Sequence, residues 1–202
     1  MSYSTFTLRT VKQALNIDTI ENQSLFSTVK GLEASTLLIQ TLELNLPLAL
    51  AVNTEKARSE LVIINVLLEA KKKASRGVSL FSGIDFSVDK EQGLSGFCDY
   101  ILGQSEEQLY LEAPVVAIAE AKNENITAGL GQCIAEMYAA QLFNQADNRD
   151  IPWIYGAVTT GDMWKFLKLK DKVAYIDRDM YYISELDRIL GILVSMVEGE
   201  RD

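Results

Sequence analysis

The fold of this chain is decided by residues 96–123, GFCDYILGQSEEQLYLEAPVVAIAEAKN. Val115 to Ala121 is an apolar run of strand length, rich in β-branched residues, and it gives way to polar residues at Lys122 and Asn123. Side chains alternate along a strand. Val116, Ile118, Glu120 and Lys122 therefore share one face, while Val115, Ala117, Ala119 and Ala121 share the other. Leu94 to Leu102 reads as a neighbouring strand, with Phe97, Asp99 and Ile101 on one face and Cys98, Tyr100 and Leu102 on the opposite one. Paired as a hairpin, the two strands bring Asp99 against Glu120. An acid–acid–base cluster then stands at the edge of a hydrophobic sheet.

Upstream, Asn53 or Thr54 is placed to cap a helix running through Glu60 to about Lys73, with Leu61, Ile64, Leu67 and Leu68 as its buried stripe. Gly77 ends it, and Val78 to Val88 reads as a strand that turns at Lys90-Glu91-Gln92-Gly93. Downstream, Thr127 is a plausible N-cap for the helix TAGLGQCIAEMYAAQLFNQA, whose small residues at Gly129, Gly131, Ala135 and Ala139 permit close approach to a sheet. Gln132 and Glu136 lie one turn apart on it. Pro152 to Thr160 is a further buried strand, and Met163 to Lys170 with Lys172 to Tyr175 form a hairpin about Lys170-Asp171. Trp153, Trp164 and Phe166 read as packing aromatics. A last helix runs from Ser184 to about Val197. Near the start, Leu8 to Leu15 and Leu32 to Leu46 have helical spacing, and Pro47 marks a stop.

Composition bounds the chemistry. The 202 residues suit one domain, with 48% hydrophobic and 23% charged residues, as expected of a globular protein. No run is long enough for a membrane span and no signal-peptide pattern opens the chain, so a cytoplasmic location is expected. The two cysteines, Cys98 and Cys133, give no disulfide framework. Histidine is absent, which excludes Ser-His and Cys-His catalysis and any His-ligated zinc. Hydrolysis in such a chain must rely on carboxylates, lysine and an oxygen-bound hard metal. The net charge of −9 opposes a nucleic-acid partner at long range, although Lys71, Lys72, Lys73 and Arg76 cluster as a local basic rim. No glycine-rich phosphate loop supports a metabolic α/β enzyme.

An Asp on one strand and Glu-x-Lys at the end of the next resembles the PD-(D/E)xK phosphodiesterase superfamily, with Cys98 in place of the proline. The order helix–strand–strand–strand–helix–strand from Thr54 to Thr160 is similar to that superfamily's core. The resemblance implies an α/β (α+β) fold with a restriction-endonuclease-like core: a central mixed β-sheet flanked by helices. Residues 53–160 form that core, 1–52 an extra N-terminal helical segment, and 161–202 a C-terminal hairpin and helix. It implies a Mg²⁺- or Mn²⁺-dependent nuclease acting on DNA, with Asp99, Glu120 and the Ala121 carbonyl as metal ligands and Lys122 orienting the attacking water. Glu60 is either a support for a metal-bound water or a solvated helix residue. Gln132 is either a substrate-backbone contact or a surface amide. Asp99 itself has a second reading, a structural salt bridge with Lys122. The superfamily also admits a two-fold homodimer and catalytically silent binding or assembly modules. The acidic charge favours that silent alternative and leaves room for a helper protein that presents the nucleic acid.

Overall fold

The computed structural model describes residues 2–199, so the first and last residues of the expected segments 1–52 and 161–202 lie outside it. Among the described residues, eight strands form one open mixed sheet between two layers of helices. The strands are β1 (Asp18–Ile20), β2 (Ser79–Asp85), β3 (Phe97–Gly103), β4 (Val115–Ala121), β5 (Ile154–Thr159), β6 (Met163–Lys170), β7 (Val173–Ile176) and β8 (Tyr181–Tyr182). Their order is β1-β7-β6-β5-β4-β3-β2, with β8 also on β6. Only β1–β7 and β4–β5 are parallel pairs. The helices are α1 (Leu8–Leu15), α2 (Thr36–Val52), α3 (Glu55–Arg58), α4 (Ile64–Lys73), α5 (Ile126–Ala146) and α6 (Leu186–Glu198). None is long and apolar enough to cross a membrane.

β4 is buried along its whole length, because helices cover both of its faces. Ala117, Ala119 and Ala121 meet the layer of α2, α4 and α6, and Ile118 meets the layer of α1 and α5. The expected alternation slips once. The β3–β4 register jumps from Leu102↔Ala117 to Gly103↔Val115, so Val116 is an extra residue. Val116 therefore points to the α6 layer, not to the Ile118 face. β3 slips as well: Cys98 packs in the same cluster as Ile101, and the break falls at Asp99. Opposite Asp99, between the pairs Ser82↔Tyr100 and Ile84↔Cys98, stands Gly83 at φ 62°, a backbone that side-chain-bearing residues avoid.

Several helix boundaries differ from the sequence reading: α2 starts at Thr36, not Leu32, and α6 at Leu186, after a 3-10 turn that includes the expected Ser184. α2 runs through Pro47 to Val52 and ends on Asn53 in the left-handed conformation. Pro47 and Glu43 both lie on the exposed face, so the Glu43 carbonyl that the proline leaves unbonded faces water. Thr54 does cap the next helix, its hydroxyl accepting from the Ala57 amide at 3.1 Å. A π-helical turn, Ser59–Ile63, then separates α3 from α4. That turn shifts the helical phase. The buried stripe is Val62, Ile63, Val66, Leu67 and Ala70, and Leu68 is left exposed. α5 starts earlier than expected, capped by Asn125 accepting from Ala128 at 3.2 Å, not by Thr127.

The first 52 residues do more than add helices. β1 completes the sheet edge against β7, and α1 packs on α5. Gly131 on α5 faces α1, where a Cβ would lie 2.2 Å from the Thr7 carbonyl carbon. The hairpin of β6 and β7 continues the same sheet, turning on Asp171 at φ 53°. Trp164 and Phe166 are fully buried, as expected, while Trp153 is half-buried under Lys168 at 4.2 Å.

Candidate functional site

The site forms where β3 and β4 part. Their ladder ends at Tyr100↔Ala119. Beyond it the Asp99 carboxylate takes over, Oδ2 accepting from the Ala121 amide at 2.8 Å. Glu120, one residue earlier on β4, is buried on the α5 side. Its Oε1 is paired with Lys122 Nζ, and its Oε2 has no hydrogen-bond partner. Asp99, Glu120 and Lys122 are thus brought together as the alternation implied, but Lys122 pairs with Glu120, not with Asp99.

Two helix starts close on this strand end. On one side, α3 is anchored by Arg58, whose Nη1 donates to the Thr160 carbonyl and to Asp162, both at 2.7 Å. That anchor puts Glu55 Oε2 3.9 Å from Lys122 Nζ. Tyr100 ties the π-turn to β3 through the Ser59 hydroxyl at 2.5 Å. On the other side, α5 approaches so closely that a Cβ on Gly129 would stand 3.0 Å from Lys122 Cγ. One turn on, Gln132 Oε1 lies 3.5 Å from Lys122 Nζ, and Gln132 Nε2 donates to Glu136 Oε1 at 3.0 Å. Glu136 is fully buried, and its Oε2 also lacks a partner.

A cleft of about 370 Å³ opens beside Asp99, lined by Glu55, Ser59, Glu60, Gly83, Tyr100 and Ala121 among others. Glu60 is in this cleft but is largely exposed and pairs with Lys56 at 3.3 Å. Lys71, Lys72 and Lys73 sit in the last turn of α4. At 1.5 Å per residue they are on the order of 20 Å from Glu60 along the helix, so they do not rim the cleft.

Electrostatics follow from burial. Glu120 is pushed up to about 8, first by desolvation and then by the Asp99 charge, with Lys122 opposing. Glu136 is pushed well up by burial and by Glu120. Burial pulls Lys122 down, but Glu120, Glu55 and Asp99 outweigh it and its ammonium is held above the usual range. Among the described residues, no three or more His, Cys, Asp or Glu side chains gather as a ready-made metal site. The donors that remain are two carboxylates and the Ala121 carbonyl, all hard oxygens, and the unpartnered buried Glu120 Oε2 fits a divalent cation. Glu55 and Glu136 are not among the candidates that the sequence alone puts forward. Glu136 has a signal in its one-turn spacing from Gln132. Glu55 has none beyond its place after a cap residue.

No family model matches the chain, and comparisons with curated proteins and with solved structures return no match.

Proposed function

We propose that the chain is a metal-dependent phosphodiester hydrolase acting on DNA, built on a restriction-endonuclease-like core. The observation that carries this reading is the buried Glu120, with one oxygen unpartnered and the other on Lys122, next to Ala121, which lines a cleft together with Asp99. Asp99, Glu120 and the Ala121 carbonyl are the residues that would hold Mg²⁺ or Mn²⁺. When bound, such an ion activates water and offsets phosphate charge. The chain's own part is positioning. The Ala121 amide fixes the Asp99 carboxylate at the strand fork. Lys122 stands ready to orient the attacking water and to neutralise phosphate, and Gln132 holds Lys122 from the helix side. Glu60 and Lys56 line the cleft where the substrate backbone would pass.

The acidity of the chain favours a second reading, a catalytically silent nuclease-like module that binds or assembles. Glu55, Glu60 and Asp99 face the same cleft, and the net charge is −9. A panel of single-stranded, double-stranded and branched DNA, incubated with Mg²⁺ or Mn²⁺, separates the two. Cleavage by the wild type and none by Lys122→Ala, with an unchanged circular dichroism spectrum, is the expected result. Equal cleavage by both would remove Lys122 from the chemistry. No cleavage by either, with no Mn²⁺-induced rise in melting temperature, would favour a silent or partner-dependent module.

A further inference from the structure

We propose that Glu136 is a positioning residue: it holds the Gln132 amide in the one orientation that presents the amide oxygen to Lys122, and thereby aims the Lys122 ammonium at the cleft. Its value for catalysis rests on the hydrolase reading above. The positioning itself does not.

Packing gives no reason for an acid at this place. Glu136 lies in the middle of α5, 0% exposed, between Cys133, Met137, Ala139 and Ala140 of the same helix, which are buried too. Among the described residues its one hydrogen bond comes from Gln132 Nε2, at 3.0 Å, and no ion pair joins it to Lys122. Its second oxygen has no partner. A carboxyl buried on these terms costs stability, and an apolar side chain of similar size would avoid that cost. A half-satisfied buried polar group calls for an explanation in function.

That explanation lies in the asymmetry of an amide. Gln132 has a donor end and an acceptor end, and the two exchange places when the amide flips. A carboxylate oxygen accepts, and a lysine ammonium only donates. Standing between them, Gln132 gives Nε2 to Glu136 and turns Oε1 toward Lys122 Nζ at 3.5 Å. An apolar residue at position 136 would leave the amide free to flip, and the flipped form sets N–H groups against the ammonium.

Lys122 needs this second anchor. Its ammonium carries three N–H groups. The buried Glu120 Oε1 holds one of them. With that bond alone the ammonium still swings about it. Gln132 Oε1 is a second fixed acceptor, and a tetrahedral nitrogen held at two points has a set direction for its third N–H. The next acceptor is Glu55 Oε2 at 3.9 Å, beyond hydrogen-bond reach, on a half-exposed side chain that lines the cleft. The third N–H is therefore turned to the side from which water or a phosphate oxygen enters.

Side-chain nuclear magnetic resonance on ¹⁵N-labelled, chelator-treated protein tests the positioning without DNA. An anchored ammonium exchanges its protons slowly and gives a resolved signal, identified as the one missing from Lys122→Ala. Glu136→Leu should broaden that signal beyond detection and shift the Gln132 amide pair. Glu136→Gln, which keeps an acceptor for Gln132, should restore both. Glu136→Met serves where leucine disturbs the fold, which circular dichroism reports. A wild type without a Lys122 signal, or a signal that survives Glu136→Leu or Glu136→Met in folded protein, would overturn the proposal. On DNA that the wild type cuts, Glu136→Leu should lower kcat by about 10- to 100-fold with KM within about twofold, the mark of an interaction felt in the transition state. Combined with Gln132→Leu it should lose no more than Gln132→Leu alone, because Glu136 acts through Gln132. Losses that multiply would overturn the relay. A wild type that cuts no DNA counts against the hydrolase reading instead, and the ammonium signal still decides the positioning.

Discussion

Glu120 and Glu136 set the behaviour of the site at the scale of single residues. Each is buried with an unpartnered oxygen, and each carboxyl is pushed above its usual range. A carboxyl raised in the folded state binds protons more tightly there than in the unfolded chain. Its contribution to stability is whole below the unfolded value near 4.5 and is lost as pH rises through the folded value. Chelator-treated protein should therefore lose stability between pH 5 and 8, by at most about 1.4 kcal/mol per pH unit for each group. Glu136→Gln should flatten that slope, which urea melts across the range would measure. An equal slope in the variant would show that Glu136 does not carry it. Glu69 works in the opposite sense. Burial pushes its carboxyl up, but the Ser35 amide and Lys73 outweigh burial and hold it below the usual range, so its contribution is lost on acidification. Mn²⁺ added at neutral pH should raise the melting temperature of the wild type by several degrees at about 100-fold excess over Kd. Asp99→Ala should abolish that rise. The closeness of Asp99, Glu120 and Lys122 was legible in the sequence from the hairpin pairing of their two strands, although alternation slips on both. The burial of Glu136 was not, since it depends on how closely α5 approaches the sheet, a distance set by Gly129 on the helix and Gly156 on β5.

At the scale of elements, the strands and helices were legible wherever periodicity was uninterrupted. β4 lies at the expected Val115 to Ala121, and α1 at the expected Leu8 to Leu15. The errors fall where one residue is inserted into a regular element. The bulge at Val116 and the π-turn at Ser59–Ile63 each shift the phase of the neighbouring residues, and no residue type announces either. β1 was missed because three residues carry too little pattern. Asn144 shows how an element is held in register. Its side chain accepts from the Val115 amide at 2.8 Å and donates to the Val115 carbonyl at 2.7 Å, clamping the start of β4 to the end of α5. Asn144→Ala should cost about 2–4 kcal/mol in urea denaturation, because both buried backbone groups lose their partner. A loss below about 0.5 kcal/mol would mean that water replaces the side chain. Gly131→Ala should destabilise by roughly 1–3 kcal/mol by forcing α1 away from α5.

For the whole molecule, composition restricted the chemistry to carboxylates and lysine, but nothing in it revealed that α2 leaves Leu37, Leu44 and Leu48 exposed. The pairing of β1 with β7 acts at this scale too, because it joins Asp18 to Val173 and so closes one edge of the sheet with strands from opposite ends of the sequence. At ~5–20 residues per second, β7 is synthesised on the order of ten seconds after β1. Through that interval the nascent β1 lacks the strand it pairs with. Slowing translation ahead of β7 should lengthen the time for which that strand edge stands open and increase the chain's dependence on chaperones.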